Sequence, residues 1–200
     1  MKNNIAFAAC IAALFTFGRA SAQSHDASFN LAPMVFSNYS INYSLNMNDN
    51  VSLGTVLGYQ NIEVTSTDDE KIGYKGFYIA PECRYYFNPD RRGNTGFFAG
   101  GYMKYRNMRT TGNVNSGFDV SGRLIDYDMK NSGLAIGGMI GKMWVANIGV
   151  IFSVWGGLGY YVYNSTTYTN GFTPRANEDA PSLPPLDFRF GLSVGYRFNR

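Results

Sequence analysis

The stretch that decides the fold is "LDFRFGLSVGYRF", residues 186–198. Leu186, Phe188, Phe190, Leu192, Val194, Tyr196 and Phe198 are apolar or aromatic. Asp187, Arg189, Gly191, Ser193, Gly195 and Arg197 alternate with them. A period of two is the signature of a β-strand with one oily and one polar face. In a soluble protein the oily face would turn inward to a core. In a membrane barrel it would turn outward to lipid, and the charges would point into the lumen.

The first residues bear on that choice. Met1-Lys2-Asn3-Asn4 is a short cationic opening, Ile5 to Gly18 is an apolar run, and Ala20-Ser21-Ala22 is a small-x-small cleavage site. Together they predict a signal peptide over residues 1–22 and a mature domain over residues 23–200. Cys10, inside the apolar run, reads as a passenger and not as a lipid anchor. Removing 22 residues from 200 leaves 178, enough for one domain, with 15 basic against 14 acidic side chains. A near-neutral balance without a basic patch argues against a nucleic-acid partner. Cys83 is then the single remaining cysteine, so no internal disulfide is expected.

Charged residues are 16% of the chain, aromatics another 16%, and glycines number 23. After the signal segment no apolar stretch is long enough for a membrane helix. Instead the alternation recurs over eight segments: 30–36, 39–47, 51–63, 74–87, 96–107, 133–144, 147–163 and 186–198. The connections at 48–50, 88–95 and 142–146 are short, whereas those at 64–73, 108–132 and 164–185 are long and polar. Ser37-Asn38 supplies a tight turn on the long side. Such sorting, with an even strand count, is the pattern of outer-membrane barrels. The polar faces carry Ser, Asn, Gly and Tyr with isolated charges, suited to the cramped interior of a small barrel and unlike the dense Lys and Glu of a soluble surface. Tyr85, Phe87, Phe97, Tyr196 and Phe198 sit where interfacial aromatic girdles belong. The expectation is an all-β, eight-stranded antiparallel transmembrane β-barrel, since a sheet in lipid must close to satisfy its backbone.

The run "IAPECRYYFNPDRRGNTGFFAGGYMKYR", with "LGTVLGY" and the terminal "GLSVGYRF", resembles a family of small Bacteroidota-type outer-membrane β-barrel proteins. The architecture is similar to the OmpA- and OmpX-type eight-stranded barrels. The resemblance implies a barrel inserted by the assembly machinery and no established activity. The chain departs from the family pattern at Ser44, where a glutamate follows the second-strand tyrosine in the family. Arg189, Gly191, Val194, Tyr196 and Phe198 are similar to the C-terminal assembly signal of such barrels.

Glu82, Arg84, Lys104, Arg106, Asp187 and Arg189 fall on polar faces and are expected to form a lumen charge network, with Glu82 diagonal to Lys104. A proton or ion pathway is the sharper alternative, but unpaired charge in a narrow lumen is costly. No catalytic, cofactor-binding or metal-ligating set is expected. The lone histidine, His25, precedes the first expected strand, and a hydrolytic site needs a base near a serine or carboxylate. Thr67-Asp68-Asp69-Glu70 and Glu178-Asp179 read as solvated loops without calcium-loop spacing. The alternation in "FDVSGRLIDYD" suggests that the neighbouring strands continue as a ribbon whose edges could recruit a partner by strand addition. These features imply a monomeric, non-enzymatic barrel of the Gram-negative outer membrane. Its partners would be outer-membrane lipid, the assembly machinery, and an extracellular protein or surface ligand at the loops. The alternatives are a narrow conduit for small solutes and a soluble, secreted lipocalin-like carrier.

Overall fold

In the computed structural model, residues 24–65, 71–114, 125–168 and 185–198 are described. They form eight antiparallel strands: β1 (Ser24–Asn30), β2 (Asn38–Asn46), β3 (Val51–Thr65), β4 (Lys71–Tyr86), β5 (Gly96–Val114), β6 (Ile125–Val145), β7 (Val150–Tyr168) and β8 (Leu186–Phe198). Each strand pairs with its sequence neighbour, and β1 also pairs with β8 from His25 opposite Phe198 to Asn30 opposite Ser193. The sheet is therefore a closed barrel without an unpaired edge around its ring. The segment 1–22, the acidic runs at 67–70 and 178–179, and most of the long connections lie outside the described residues.

The expected first strand at 30–36 is not one. β1 lies earlier, and residues Ala32–Phe36 form a 3₁₀ helix. Pro33 explains the shift, because it has no N–H to give to a ladder and its fixed φ suits the first turn of a helix. Ser37 then turns left-handed at φ 51° and donates its N–H to the Met34 carbonyl at 3.0 Å. His25 thus belongs to β1 rather than preceding it. Its ring hydrogen-bonds the Tyr43 hydroxyl at 2.8 Å on the outer face. The "SHDASFN" segment carries a true alternation, but one made from small and polar residues that hydrophobicity alone does not reveal.

The expected loop at 108–132 is mostly strand, since β5 runs to Val114 and β6 starts at Ile125. Half of the expected loop at 64–73 is likewise β3 and β4, which pair as far as Thr65 opposite Lys71. β7 continues to Tyr168 through a bulge at the Leu134/Ala135 step, where Val162 is the extra residue. At the opposite end the turns are tight. Asn48 accepts the N–H groups of Asn50 and Val51 through its side-chain oxygen, at 2.9 and 2.8 Å, closing β2 onto β3.

The terminal alternation resolves outward: Phe188 is 72% exposed and Arg189 only 8%. Buried polar residues outnumber buried apolar ones. The apolar part of the interior is a cluster of Tyr86, Phe98, Tyr102, Met139, Met143, Val145, Ile151 and Trp155. Glycines on facing strands make room for these rings. A Cβ at Gly141 would lie 2.6 Å from Phe98, from Trp155 and from the Val154 carbonyl, whereas one at Gly138 would meet nothing closer than 3.8 Å. Gly141→Ala is expected to lower the urea midpoint by the equivalent of about 1–3 kcal/mol through overpacking. Gly138→Ala, on the outer face of the same strand, should leave it unchanged or slightly raised. Equal effects of the two substitutions would contradict this packing.

Candidate functional site: the barrel interior and its outer belt

The even-numbered positions of β4 and β5 and the odd-numbered positions of β8 face inward, which gathers all six expected network residues inside the ring. Five of them divide into two groups, and Arg106 lies over the Tyr161 ring. Asp187 of β8 accepts three hydrogen bonds: from Lys104 Nζ at 2.6 Å, from the Tyr102 hydroxyl at 3.0 Å and from the Tyr161 hydroxyl at 3.0 Å. Glu82 of β4 contacts the Arg84 guanidinium, accepts from Asn42 Nδ2 at 2.9 Å, and lies 3.8 Å from Arg189 Nη2. The register sets Glu82 opposite Tyr102, so Lys104 is its diagonal neighbour, yet the lysine reaches across to Asp187 instead.

These contacts cross the lumen. β4 and β8 are diametrically opposite in a ring of eight, and the Glu82–Arg189 approach links them. β5 and β8 are joined by Lys104 and Tyr102, and β2 and β4 by Asn42–Glu82 and by Tyr78 donating to Asn38 at 3.2 Å. The cations exceed the acids they meet, and aromatic faces take up the difference. The Arg84 guanidinium lies 4.8 Å from the Phe98 ring centre, Arg106 3.8 Å from that of Tyr161, and Arg189 4.4 Å from Tyr102 and 5.1 Å from Trp155. Of the residues resembling an assembly signal, Arg189 and Gly191 face inward, Gly191 beneath the Trp155 ring, while Val194, Tyr196 and Phe198 face out.

A third pair was not anticipated. Arg197 Nε and Nη2 donate to the Asp26 carboxylate at 2.7 and 2.8 Å, and Nη1 donates to the carbonyls of Arg92 and Gly93 at 2.8 Å. The β4–β5 turn is thereby drawn under the barrel mouth, where Asn94 and Thr95 are buried. The signal lay in the alternation: Arg197 occupies an inward position of β8, and Asp26 an inward position of the strand that hydrophobicity misses.

Outside, the side chains change character in register. One row across the sheet reads Ile41, Leu57, Ile79, Tyr105, Leu134, Tyr163. The next row reads Tyr39, Tyr59, Phe77, Asn107, Ser132, Ser165, and the one beyond reads Asn61, Lys75, Arg109, Lys130, Thr167. At the other end the apolar face stops at Tyr85, Phe87, Phe97, Trp144, Phe152, Tyr196 and Phe198. Here Lys142 sets its ammonium 4.6 Å from the Phe97 ring centre and 5.1 Å from that of Trp144. From Phe77 of β4 to Phe87 just past its end the apolar face rises ~25 Å, taking about 3.3 Å per residue and a tilt of about 40°. Beyond the belt Arg109 binds Asp128 through two hydrogen bonds, 2.8 and 2.6 Å, which hold that carboxyl below the usual carboxylate range. No group of metal-ligating residues occurs among the described residues, and no helix is long and apolar enough to cross a membrane.

The fold and its two faces define a closed, filled, eight-stranded β-barrel with an apolar exterior. The chain belongs to the family described as protein of unknown function (DUF3575), whose model matches residues 6–181 and so runs through β7. No curated protein and no solved structure matches it.

The lumen geometry makes a specific demand on Asp187. Asp187→Asn leaves Lys104 buried without its anion and should cost about 3–5 kcal/mol of stability. Adding Lys104→Met should recover a large part of that loss. A double-mutant cycle on the unfolding midpoint measures the coupling, and additive effects would show that the pair acts separately.

Proposed function

We propose that this protein is a monomeric barrel of the Gram-negative outer membrane, held in lipid by its apolar belt and closed to solutes, whose long connections contact an external protein or surface ligand. The observation that carries this reading is the change of the outer face from apolar to polar within two ladder rows on five neighbouring strands, one row earlier on β5 to β7 than on β3 and β4. A soluble protein has no cause to expose such a belt, since soluble monomers rarely carry an apolar patch beyond a few hundred Å². The belt height of ~25 Å agrees with the lipid-facing band of bacterial barrels. The aromatic ends of the belt, with Lys142 beside Phe97 and Trp144, suit the headgroup level where aromatic rings and long cations settle.

A packed interior supports a non-conducting role. Cross-lumen ion pairs and the buried end of the β4–β5 turn, Gly93 to Thr95, occupy the path a solute would take. Among the described residues no acid–base pair sits at an open face to suggest hydrolysis, and His25 is engaged with Tyr43 on the outer wall. The free surface is then the end bearing the long connections, where β5 and β6 run beyond the belt as a paired ribbon.

Fractionation of intact cells tests the reading. The protein should be found with outer membranes, require detergent to stay dispersed, and run on gels as a heat-modifiable band. Surface protease should cut within 115–124 and 169–184 and spare 88–95, and planar bilayers should show no conductance steps. A mature chain that stays folded and monomeric in plain buffer would overturn the membrane assignment, and discrete conductance would overturn the closed lumen.

A further inference from the structure

One part of the belt differs from the rest. A groove of about 750 Å³ indents the outer face of β2–β4, with Phe29 and Met34 at one side, Tyr105 at the other, and Leu57 and Phe77 along it. Its lining is almost wholly apolar, and Tyr39, Tyr59, Tyr78 and Tyr105 are the tyrosines among it. The adjoining 3₁₀ segment is itself apolar and exposed at Met34 and Val35, unlike the polar connections elsewhere at this end.

Just beyond the groove runs a row of like charges. Lys75 of β4 stands opposite Arg109 of β5, which stands opposite Lys130 of β6, all on the outer face. Like charges directly opposite across strands repel, so such a row is retained at a cost. Two acids lie in the next row, Glu63 and Asp128. Asp128 is taken by Arg109 at 2.6 Å, and among the described residues no ion pair joins Glu63 to Lys75. Lys75 is two residues beyond Phe77, ~7 Å along the strand. A ligand with its chain in the groove therefore brings its head to the lysine.

We infer that this groove and its lysines form a docking site for a phosphorylated, acylated glycolipid of the outer leaflet, with one acyl chain along Leu57 and Phe77 and its phosphates at Lys75 and Lys130. The site rests on the membrane reading above, and its position follows from it: the cationic row is at the end away from the tight turns, on the side of the external connections. Among the described residues these two rows set three cations against two acids, so phosphate supplies counter-charge to the row, and an acyl chain fills an apolar channel that water would hydrate poorly. A free phosphate would use the lysines alone and leave the groove empty.

The test is retention of diphosphoryl lipid A by the full chain in detergent micelles, read by native mass spectrometry. Dephosphorylated lipid A and phosphatidylglycerol serve as the comparison lipids. Retention of diphosphoryl lipid A should exceed that of both by roughly tenfold, in line with about one charge interaction per lysine. Lys75→Glu with Lys130→Glu should abolish the preference, and Leu57→Trp, which fills the groove from an exposed position, should reduce retention while leaving the lysines in place. Both variants should keep the heat-modifiable band. Equal retention of the dephosphorylated lipid, or indifference to the charge reversal, overturns the site. Equal retention of phosphatidylglycerol overturns the glycolipid assignment, and indifference to Leu57→Trp overturns the acyl channel. A detergent-dependent, heat-modifiable protein with no lipid preference defeats only this inference, whereas a protein dispersed in plain buffer defeats the membrane reading with it.

Discussion

A sheet that turns its apolar side outward has to build its interior from what remains, and in this chain that is small polar and aromatic side chains with charges set among them. Asp26, Glu82 and Asp187 sit inside the ring with Arg84, Lys104, Arg106, Arg189 and Arg197. Any of these groups alone would be expensive to bury, because desolvation of an ion costs more than most single contacts return. The fold is tenable because they answer one another across the lumen. Asp187 alone collects three donors from β5 and β7, and the surplus guanidinium charge is spread over aromatic faces. The other features of the interior follow from that constraint. The phenols of Tyr102 and Tyr161 must reach Asp187, so their rings need space, and the glycines of facing strands provide it: Gly137 and Gly159 lie against Tyr102, and Gly133 against Tyr161.

Closure has the same logic at the level of the backbone. An open eight-stranded sheet would leave β1 and β8 with unpaired N–H and C=O groups, which water could satisfy and hydrocarbon could not. The β1–β8 ladder removes both edges at once, and it is the short, polar β1 that makes the join. Arg197 and Asp26 sit on these same two strands and are opposite one another in the ladder. Their double hydrogen bond therefore fastens the seam of the barrel, and the remaining donors of the guanidinium hold the β4–β5 turn across the mouth. One side chain thus serves both closure of the wall and closure of the end.

How much of this is written in the sequence depends on which periodicity the residues display. β8 is legible to the residue because its alternation is between aromatics and charges, the strongest contrast available. The lumen residues follow from the same parity, so membership of the network is readable, but partnership is not. Adjacent-strand register suggests Glu82 with Lys104, whereas the side chains reach β8 and β2, and nothing local in the sequence encodes a contact across the lumen. β1 is illegible for the opposite reason: Ser24, Asp26, Ser28 and Asn30 alternate with His25, Ala27 and Phe29, so the outer face has one large apolar residue and hydrophobicity shifts the apparent strand onto Leu31 to Phe36. The extensions of β3 to β7 beyond the belt are hidden by composition, because polar residues on both faces of a ribbon read as loop.

The end of the molecule away from the tight turns is therefore built largely of paired strand. On the expected boundaries it would be three long, unstructured connections over a barrel that stops at the membrane surface. In the structure, β5 and β6 remain paired from Thr110 opposite Met129 to Val114 opposite Ile125, above the cationic row. The Arg109–Asp128 pair lies at the base of this ribbon, on its outer face. A paired ribbon resists bending far better than two separate strands, so Val114 and Ile125 are held at a defined height above the belt. The filled lumen transmits little to it, since its side chains are already committed to one another. On the proposed reading, selectivity therefore belongs to the outer surface, at the ribbon and at the groove beside it, and the interior serves to keep that surface in register with the bilayer.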